Sequence, residues 1–317
     1  VTVLRDATLR DGLQLTRGPL PTRRKVELVR ELLALGVPEL EIGSLARPDL
    51  VPPLADTLAV VDALEPHELE RCWVWVATPR HVERAVAAGA RNVQYCLSVS
   101  DAHNRANVGR DSGTSLAGLP AAVGTALAAG GRIQLCLATA FTCPFDGPVD
   151  PAAVLRIVED PRTDGTCDVV LCDTLGQAVA GEVAALVSAA RERASGRRIV
   201  FHGHDTWGQG VANGLAAVAA GADALDGTLG GLGGCPFAPG ASGNTATEDL
   251  LFALRPGWLT PERLGRLVTL GEDLLADLGE PNRSRAAQGV RSRAAAFPWT
   301  VGAAAGGTGA DRSLRPG

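Results

Sequence analysis

Eight short β-branched or apolar runs alternate with eight longer Ala-, Leu- and Arg-rich segments of helical period through about the first 255 residues. No other feature restricts the fold so tightly, because a strand repeatedly followed by a helix returns each new strand parallel to the last. The strand candidates are 1–4, 39–43, 72–77, 92–99, 133–138, 168–172, 198–202 and 222–227. The helix candidates are 22–35, 51–64, 79–88, 115–129, 151–159, 178–194, 209–220 and 244–254. An open doubly wound sheet shares the alternation, but the count of eight and the length favour a closed (β/α)8 TIM barrel, an α/β fold. After Arg255 the rhythm stops. Residues 260–278 read as one more helix, opening on a cap-like Thr-Pro-Glu, and 302–317 are Gly- and Ala-rich without period. The chain is therefore expected to form a barrel domain with a C-terminal helical extension over 1–288, then a tail over 289–317 that ends in disorder.

Composition narrows the function class. The 317 residues are 46% hydrophobic, enough to bury a large core. The net charge of −5 leaves no basic footprint for phosphates, so nucleic acid is not an expected partner. Lys25 is the only lysine, and no methionine occurs, which suits a removed initiator or a start inside the natural one. No uninterrupted apolar run is long enough to span a bilayer, and the N-terminus shows no basic-then-apolar leader. Seven cysteines, odd in number and without a CxxC pair, suit free thiols in a reducing compartment. A cytoplasmic location is expected.

In such a barrel the chemistry collects where strands pass into loops. His202 and His204 lie two residues apart at the end of the seventh strand, so both imidazoles point to the same side and can face one metal. Asp11, after the first strand, is a natural third ligand, and the amide oxygen of Asn244 a further one. That mixed, mostly hard set suits Mg²⁺ or Mn²⁺ better than Zn²⁺, since no cysteine shares the strand of the two histidines. Arg10 keeps its charge and can balance a developing enolate, with a salt bridge to Glu41 as a compatible structural role. Asp6 reads either as a supporting carboxylate or as a general base, and the residues do not separate the two. The glycine-rich loop 230–244 contains no phosphate-loop ending; its glycines suit a lid that carries Cys235 over the mouth as acid or nucleophile. His67 and His81 lie on or beside helices and read as surface residues.

The segment 201–251, with HGHDTWGQGVANG and GLGGCPFAPGASGN, closely resembles the matching part of 3-hydroxy-3-methylglutaryl-CoA lyases. So do RDGLQ at 10–14, Glu41 with Ser44, CPFDG at 143–147 and DTLG at 173–176. The likeness runs from the first strand to about Gln288; HxHD and RDG are shared more widely, with isopropylmalate and homocitrate synthases. It implies a divalent metal held by Asp11, His202, His204 and Asn244, with Arg10 on the enolate, Glu41 positioning Arg10, and Cys235 as proton donor. It also implies retro-Claisen cleavage of a 3-hydroxyacyl-CoA to a ketone and an acyl-CoA, in a homo-oligomer, most simply a dimer. Gln14, Ser44, Asn107, Asp173 and Thr174 are the expected substrate contacts.

Several positions depart from the lyase pattern. Thr8-Leu9 gives a DxTLRDG form closer to the synthases and to 4-hydroxy-2-oxoacid aldolases, although Leu13 returns to the lyase pattern. Phe141-Thr142, Cys172, His103 and Asn104 also differ, and they border the expected acyl pocket. A bulkier 3-hydroxyacyl-CoA is one alternative substrate. The condensing direction with a 2-oxoacid is the other, weakened by the lyase-type Cys235 loop and the lack of a regulatory domain after the barrel.

Overall fold

The computed structural model describes residues 2–234, 242–294 and 296–300. Among them the strands are β1 (Val3–Asp6), β2 (Glu39–Ser44), β3 (Cys72–Val76), β4 (Asn92–Ser98), β5 (Arg132–Ala138), β6 (Thr142–Cys143), β7 (Gly147–Pro148), β8 (Asp168–Asp173), β9 (Arg198–Gly203) and β10 (Ala224–Gly227). Eight of these close a barrel in the order β1-β2-β3-β4-β5-β8-β9-β10, and β6 with β7 forms a separate antiparallel hairpin. All eight barrel contacts are parallel. The fold read from the alternation is therefore a (β/α)8 barrel.

The helices are α1 (Thr22–Leu35), α2 (Thr57–Asp62), α3 (Pro66–Leu69), α4 (Pro79–Ala87), α5 (Asp101–Val108), α6 (Ser112–Ala128), α7 (Pro151–Val158), α8 (Ala180–Arg193), α9 (Gly210–Ala219), α10 (Thr247–Leu254), α11 (Pro261–Leu278) and α12 (Arg285–Val290). Short polar side chains start many of them: Thr78, Ser100, Asp111 and Thr260 each accept a first-turn backbone N–H. Each such cap contributes about 1 kcal/mol.

Three sequence expectations are corrected. The first strand runs to Asp6 rather than stopping at residue 4, so Arg5 and Asp6 lie on the barrel wall. The stretch after β4, which lies outside every helix candidate, is helix α5, because Ser100 caps it and Gly109 closes it with a positive φ of 75°. The helix expected over 51–64 is broken into a 3₁₀ turn at Pro52–Leu54 and then α2, since paired prolines cannot donate into a regular ladder. At the C-terminus, α12 ends at Val290, and residues 301–317 lie outside the described residues.

Two cores sit on either side of the sheet. Outward residues such as Leu40, Ile42, Leu135 and Leu171 pack against the helices, while Trp75, Cys96, Cys136, Val170, Cys172 and Val200 fill the interior. Toward the N-terminal end the interior is polar: Arg198 pairs with Asp168 and Glu39, and Gln134 donates to Gln94. These charges close the bottom of the barrel and leave the opposite end for the cavity. Among the described residues no helix is long and apolar enough to cross a membrane.

One buried acid supports the loop that follows β10. Both oxygens of Glu248 accept the backbone N–H of Gly230, at 3.0 and 2.9 Å. Burial pushes its carboxyl from an ordinary 4.5 up to about 8. The folded chain thus holds a proton here that the unfolded chain releases above pH 4.5, so this group's stability contribution falls as pH rises from 4.5 to about 8. Glu248→Gln keeps a carbonyl acceptor and removes the titration. Its melting temperature should change less than the wild type's between pH 6 and pH 8.5, and should be the higher at pH 8.5; parallel pH curves would contradict this origin.

Candidate active site

Backbone geometry at the end of β1 places the first two functional side chains. The carbonyl of Ala7 accepts from Arg10, Asp11 and Gly12 at 3.0, 2.9 and 3.2 Å, so Thr8–Gly12 winds as one wide π-type turn. Such turns are rare and recur at functional sites. Here it brings Arg10 and Asp11 side by side, and their side chains form an ion pair.

The end of β9 supplies the imidazoles. His202 and His204 share a face, with ring centroids 5.4 Å apart. The Nε2 atoms of His204 and His202 lie 3.2 and 3.9 Å from Asp11 Oδ2. One ligand atom from each of the three residues falls within 4.8 Å of the others, and all three side chains are buried. His202 Nδ1 lies 3.1 Å from Asp226 Oδ2, and donation of its proton there leaves Nε2 with its lone pair toward Asp11. That lone pair and the carboxylate are both acceptors, so the arrangement calls for a cation between them. His204 Nδ1 is buried without a hydrogen-bond partner, so its Nε2, turned toward Asp11, is the ring's one engaged nitrogen. The donor set fits a divalent metal.

Asn244 stands beside this group because its backbone bridges His204. Its Nδ2 donates to Asp11 Oδ2 at 2.8 Å and to the carbonyl of Leu232 at 3.1 Å. Burial opposes charge on Asp11, but the Arg10 guanidinium and both imidazoles outweigh it and hold the carboxyl far below the usual range. Burial likewise opposes charge on His202, yet Asp226 and Asp11 raise its pKa above the ordinary value.

Arg10 is held from below. Its Nε lies 3.1 Å from Glu41 Oε2, and its guanidinium carbon is 5.8 Å from the centre of the Trp75 ring. A register shift between Glu41 and Gly43 in β2 lets Glu41 point into the barrel while Ser44, three residues on, faces the same interior. Beneath Glu41 lies Arg5, fully buried and paired with Asp226 through both its Nε and Nη2, at 2.8 and 2.7 Å.

Above these groups opens a cavity of about 710 Å³ at the C-terminal end of the strands. Arg10, Asp11, Gln14, Ser44, Asn107, Thr174, His202 and His204 all line it, as the sequence anticipates. Four expected residues do not: Glu41 and Asn244 reach the site only through Arg10 and Asp11, and Asp6 and Asp173 point elsewhere. Asp6 alternates outward from Arg5, accepts from Thr247 Oγ1 and the Thr8 amide, and takes no part in the cavity. Asp173 turns back to accept the amides of Gln177 and Ala178, so it holds the loop after β8 rather than a ligand. Cys235 lies outside the described residues.

Cys172 borders the cavity as the sequence anticipates, while Cys96, Cys136 and His81 escaped the sequence reading. Cys96, Cys136 and Cys172 form an interior floor with Ala77 and Ala138, and Cys136 Sγ is 3.5 Å from Cys172 Sγ. His81, read as a surface residue, faces the cavity near Arg110, and burial lowers its pKa. Strand parity could have placed the thiols, since each sits on the inward set of its strand; His81 left no such signal.

Comparison with known proteins settles the family. A family model described as HMGL-like matches residues 2–271. The chain is a member of the HMGL-like family. A (R)-citramalyl-CoA lyase of Chloroflexus aurantiacus is 38% identical over 89% of this chain and 92% of its own length. A mitochondrial hydroxymethylglutaryl-CoA lyase of Arabidopsis thaliana is 34% identical over 90% of this chain, which spans 61% of that longer protein. Among solved structures, an HMG-CoA lyase from Acinetobacter baumannii, in complex with coenzyme A and 3-methylmalate, is 34% identical. It superposes with a TM-score of 0.85 over 93% of this chain and 96% of its own. This HMGL-like chain thus shares the barrel with that lyase structure.

Proposed function

We propose that the protein is a divalent-metal-dependent carbon–carbon lyase that cleaves 3-hydroxy-3-methylglutaryl-CoA, or a close relative, to acetyl-CoA and a ketone product. The observation that carries this reading is the meeting of Asp11, His202 and His204 with Arg10 in one cavity. Asp11, His202 and His204 would hold the metal, joined by the amide oxygen of Asn244 once that amide turns over from its hydrogen bonds to Asp11 and Leu232; this mixed nitrogen and oxygen set, with no thiolate, suits Mg²⁺ or Mn²⁺. Bound there, it would act as a Lewis acid that makes a coordinated hydroxyl easier to deprotonate.

The chain's own residues and solvent do the rest. Water in the open cavity takes the hydroxyl proton, and the bond between the second and third carbons then breaks. The third carbon becomes the ketone, and the bonding pair passes into the thioester as an enolate. Arg10 faces that developing negative charge, with Glu41 and the Trp75 ring fixing its guanidinium. Cys235 would return a proton to the enolate carbon. Gln14, Ser44, Asn107 and Thr174 would contact the acyl-CoA, and Asp6 and Asp173 would act only through the walls they support. A cytoplasmic homodimer is the expected setting.

The test is cleavage itself: purified protein with Mn²⁺ should release acetyl-CoA from the substrate and stop on chelation. Cys235→Ala should keep Mn²⁺ affinity and lose turnover by roughly a hundredfold or more, the range set by removing a general acid. Full turnover in that variant would remove the thiol from the mechanism.

The small apolar floor of Cys96, Cys136, Cys172, Ala77 and Ala138 favours a second reading, a substrate with a larger apolar group on its third carbon. A higher kcat/KM for a 3-alkyl homologue than for the 3-methyl compound would select it.

A further inference from the structure

Five side chains form an unbroken buried ionic chain beneath the cavity: Arg10–Glu41–Arg5–Asp226–His202. Glu41 Oε2 meets Arg10 Nε at 3.1 Å, and Glu41 Oε1 meets Arg5 Nη2 at 3.3 Å. Arg5 then grips both oxygens of Asp226, and Asp226 Oδ2 takes His202 Nδ1 at 3.1 Å. None of the five side chains is more than 11% exposed. Arg5 is the central member and does not line the cavity itself.

We propose that Arg5 is a positioning residue that couples the metal-binding half of the site to its guanidinium half. It does so by fixing at once the carboxylate that orients His202 and the carboxylate that orients Arg10. Two features support this over simple charge neutralisation in the core. The guanidinium fork engages Asp226 through two nitrogens, which sets the plane of that carboxylate as well as its charge. The Trp73 ring centre lies 5.9 Å from the Arg5 guanidinium carbon, as Trp75 lies near Arg10, so β3 supports both arginines at alternate inward positions. A shift of Asp226 would turn the His202 ring, and a shift of Glu41 would release Arg10.

This inference rests on the reading of the site as a metal-dependent lyase, and its test separates the two. Wild-type protein that binds no Mn²⁺ and cleaves nothing would sink the lyase reading. Given a wild type that does both, Arg5→Lys keeps the buried charge and removes the fork. It should bind Mn²⁺ roughly tenfold more weakly by calorimetry, as loss of a group orienting a metal ligand does. Its kcat should fall roughly tenfold or more with KM nearly unchanged. A purely neutralising role requires Mn²⁺ affinity and kcat to stay within about twofold of wild type while only the melting temperature moves, and that result overturns the proposal.

Coupling through Glu41 adds a second requirement. In a Glu41→Gln background, Arg5→Lys should cost little further kcat; a full multiplicative loss would overturn the coupling. If Arg5→Lys does not fold, Asp226→Asn carries the metal arm. It keeps the side chain's shape and should weaken Mn²⁺ binding to a similar degree, while unchanged affinity would refute it.

Discussion

Arg10→Met should leave a protein that binds Mn²⁺ at least as tightly as wild type and yet turns over roughly a thousandfold more slowly. The two effects have opposite signs for a physical reason. Arg10 forms an ion pair with Asp11, so the guanidinium competes with a metal for the same carboxylate. Removing it frees the ligand and removes a nearby positive charge. The same removal leaves the enolate without its countercharge, and loss of one preorganised donor of this kind costs about 3–4 kcal/mol in the transition state. Arg10→Lys should recover little, because a point charge cannot keep both the Nε contact to Glu41 and a second face toward substrate. Calorimetry of Mn²⁺ binding beside steady-state kinetics checks both halves; joint loss of affinity and turnover would make Arg10 a structural member of the metal site instead.

His202→Ala should behave in the complementary way. It removes one of three converging ligands, so Mn²⁺ binding should weaken by a hundredfold or more and turnover should fall by roughly a thousandfold at any accessible metal concentration. The fold should survive, since Asp226 keeps both of its bonds to Arg5 when the imidazole is gone. The space left is bordered by polar groups and open to the cavity, so water can enter it. Circular dichroism and Mn²⁺ calorimetry together test this, and unchanged affinity would remove His202 from the ligand set.

The contrast between these variants shows which parts of the site could be read from the chain. His202 and His204 announce themselves by a spacing of two on a strand, and Arg10-Asp11 by charge at a strand end. The cavity lining repeats both. Asp6 and Asp173 misled because adjacent acids at a strand end look alike in sequence. Strand alternation decides each case: β1 runs on to Asp6 and β8 on to Asp173, each one step past an inward residue, so both acids turn away from the cavity. Arg5 and Asp226 went unremarked for the same reason. They lie 221 residues apart, and nothing local signals that each finds its partner across the β1–β10 seam that closes the barrel. The thiol floor is a like case, since Cys96, Cys136 and Cys172 become neighbours only when β4, β5 and β8 pair. Local periodicity carried the fold; the interior layers belong to its closure.

The most direct measurement is cleavage of 3-hydroxy-3-methylglutaryl-CoA in deuterated water with Mn²⁺, with both products identified by mass spectrometry. The expected result is acetoacetate together with acetyl-CoA carrying one deuterium in its methyl group, both abolished by a chelator. That single label records protonation of an enolate after the carbon–carbon bond has broken. Folded, Mn²⁺-loaded protein that yields only free coenzyme A, or leaves this substrate and its 3-alkyl and citramalyl relatives intact, would contradict the assignment as a carbon–carbon lyase.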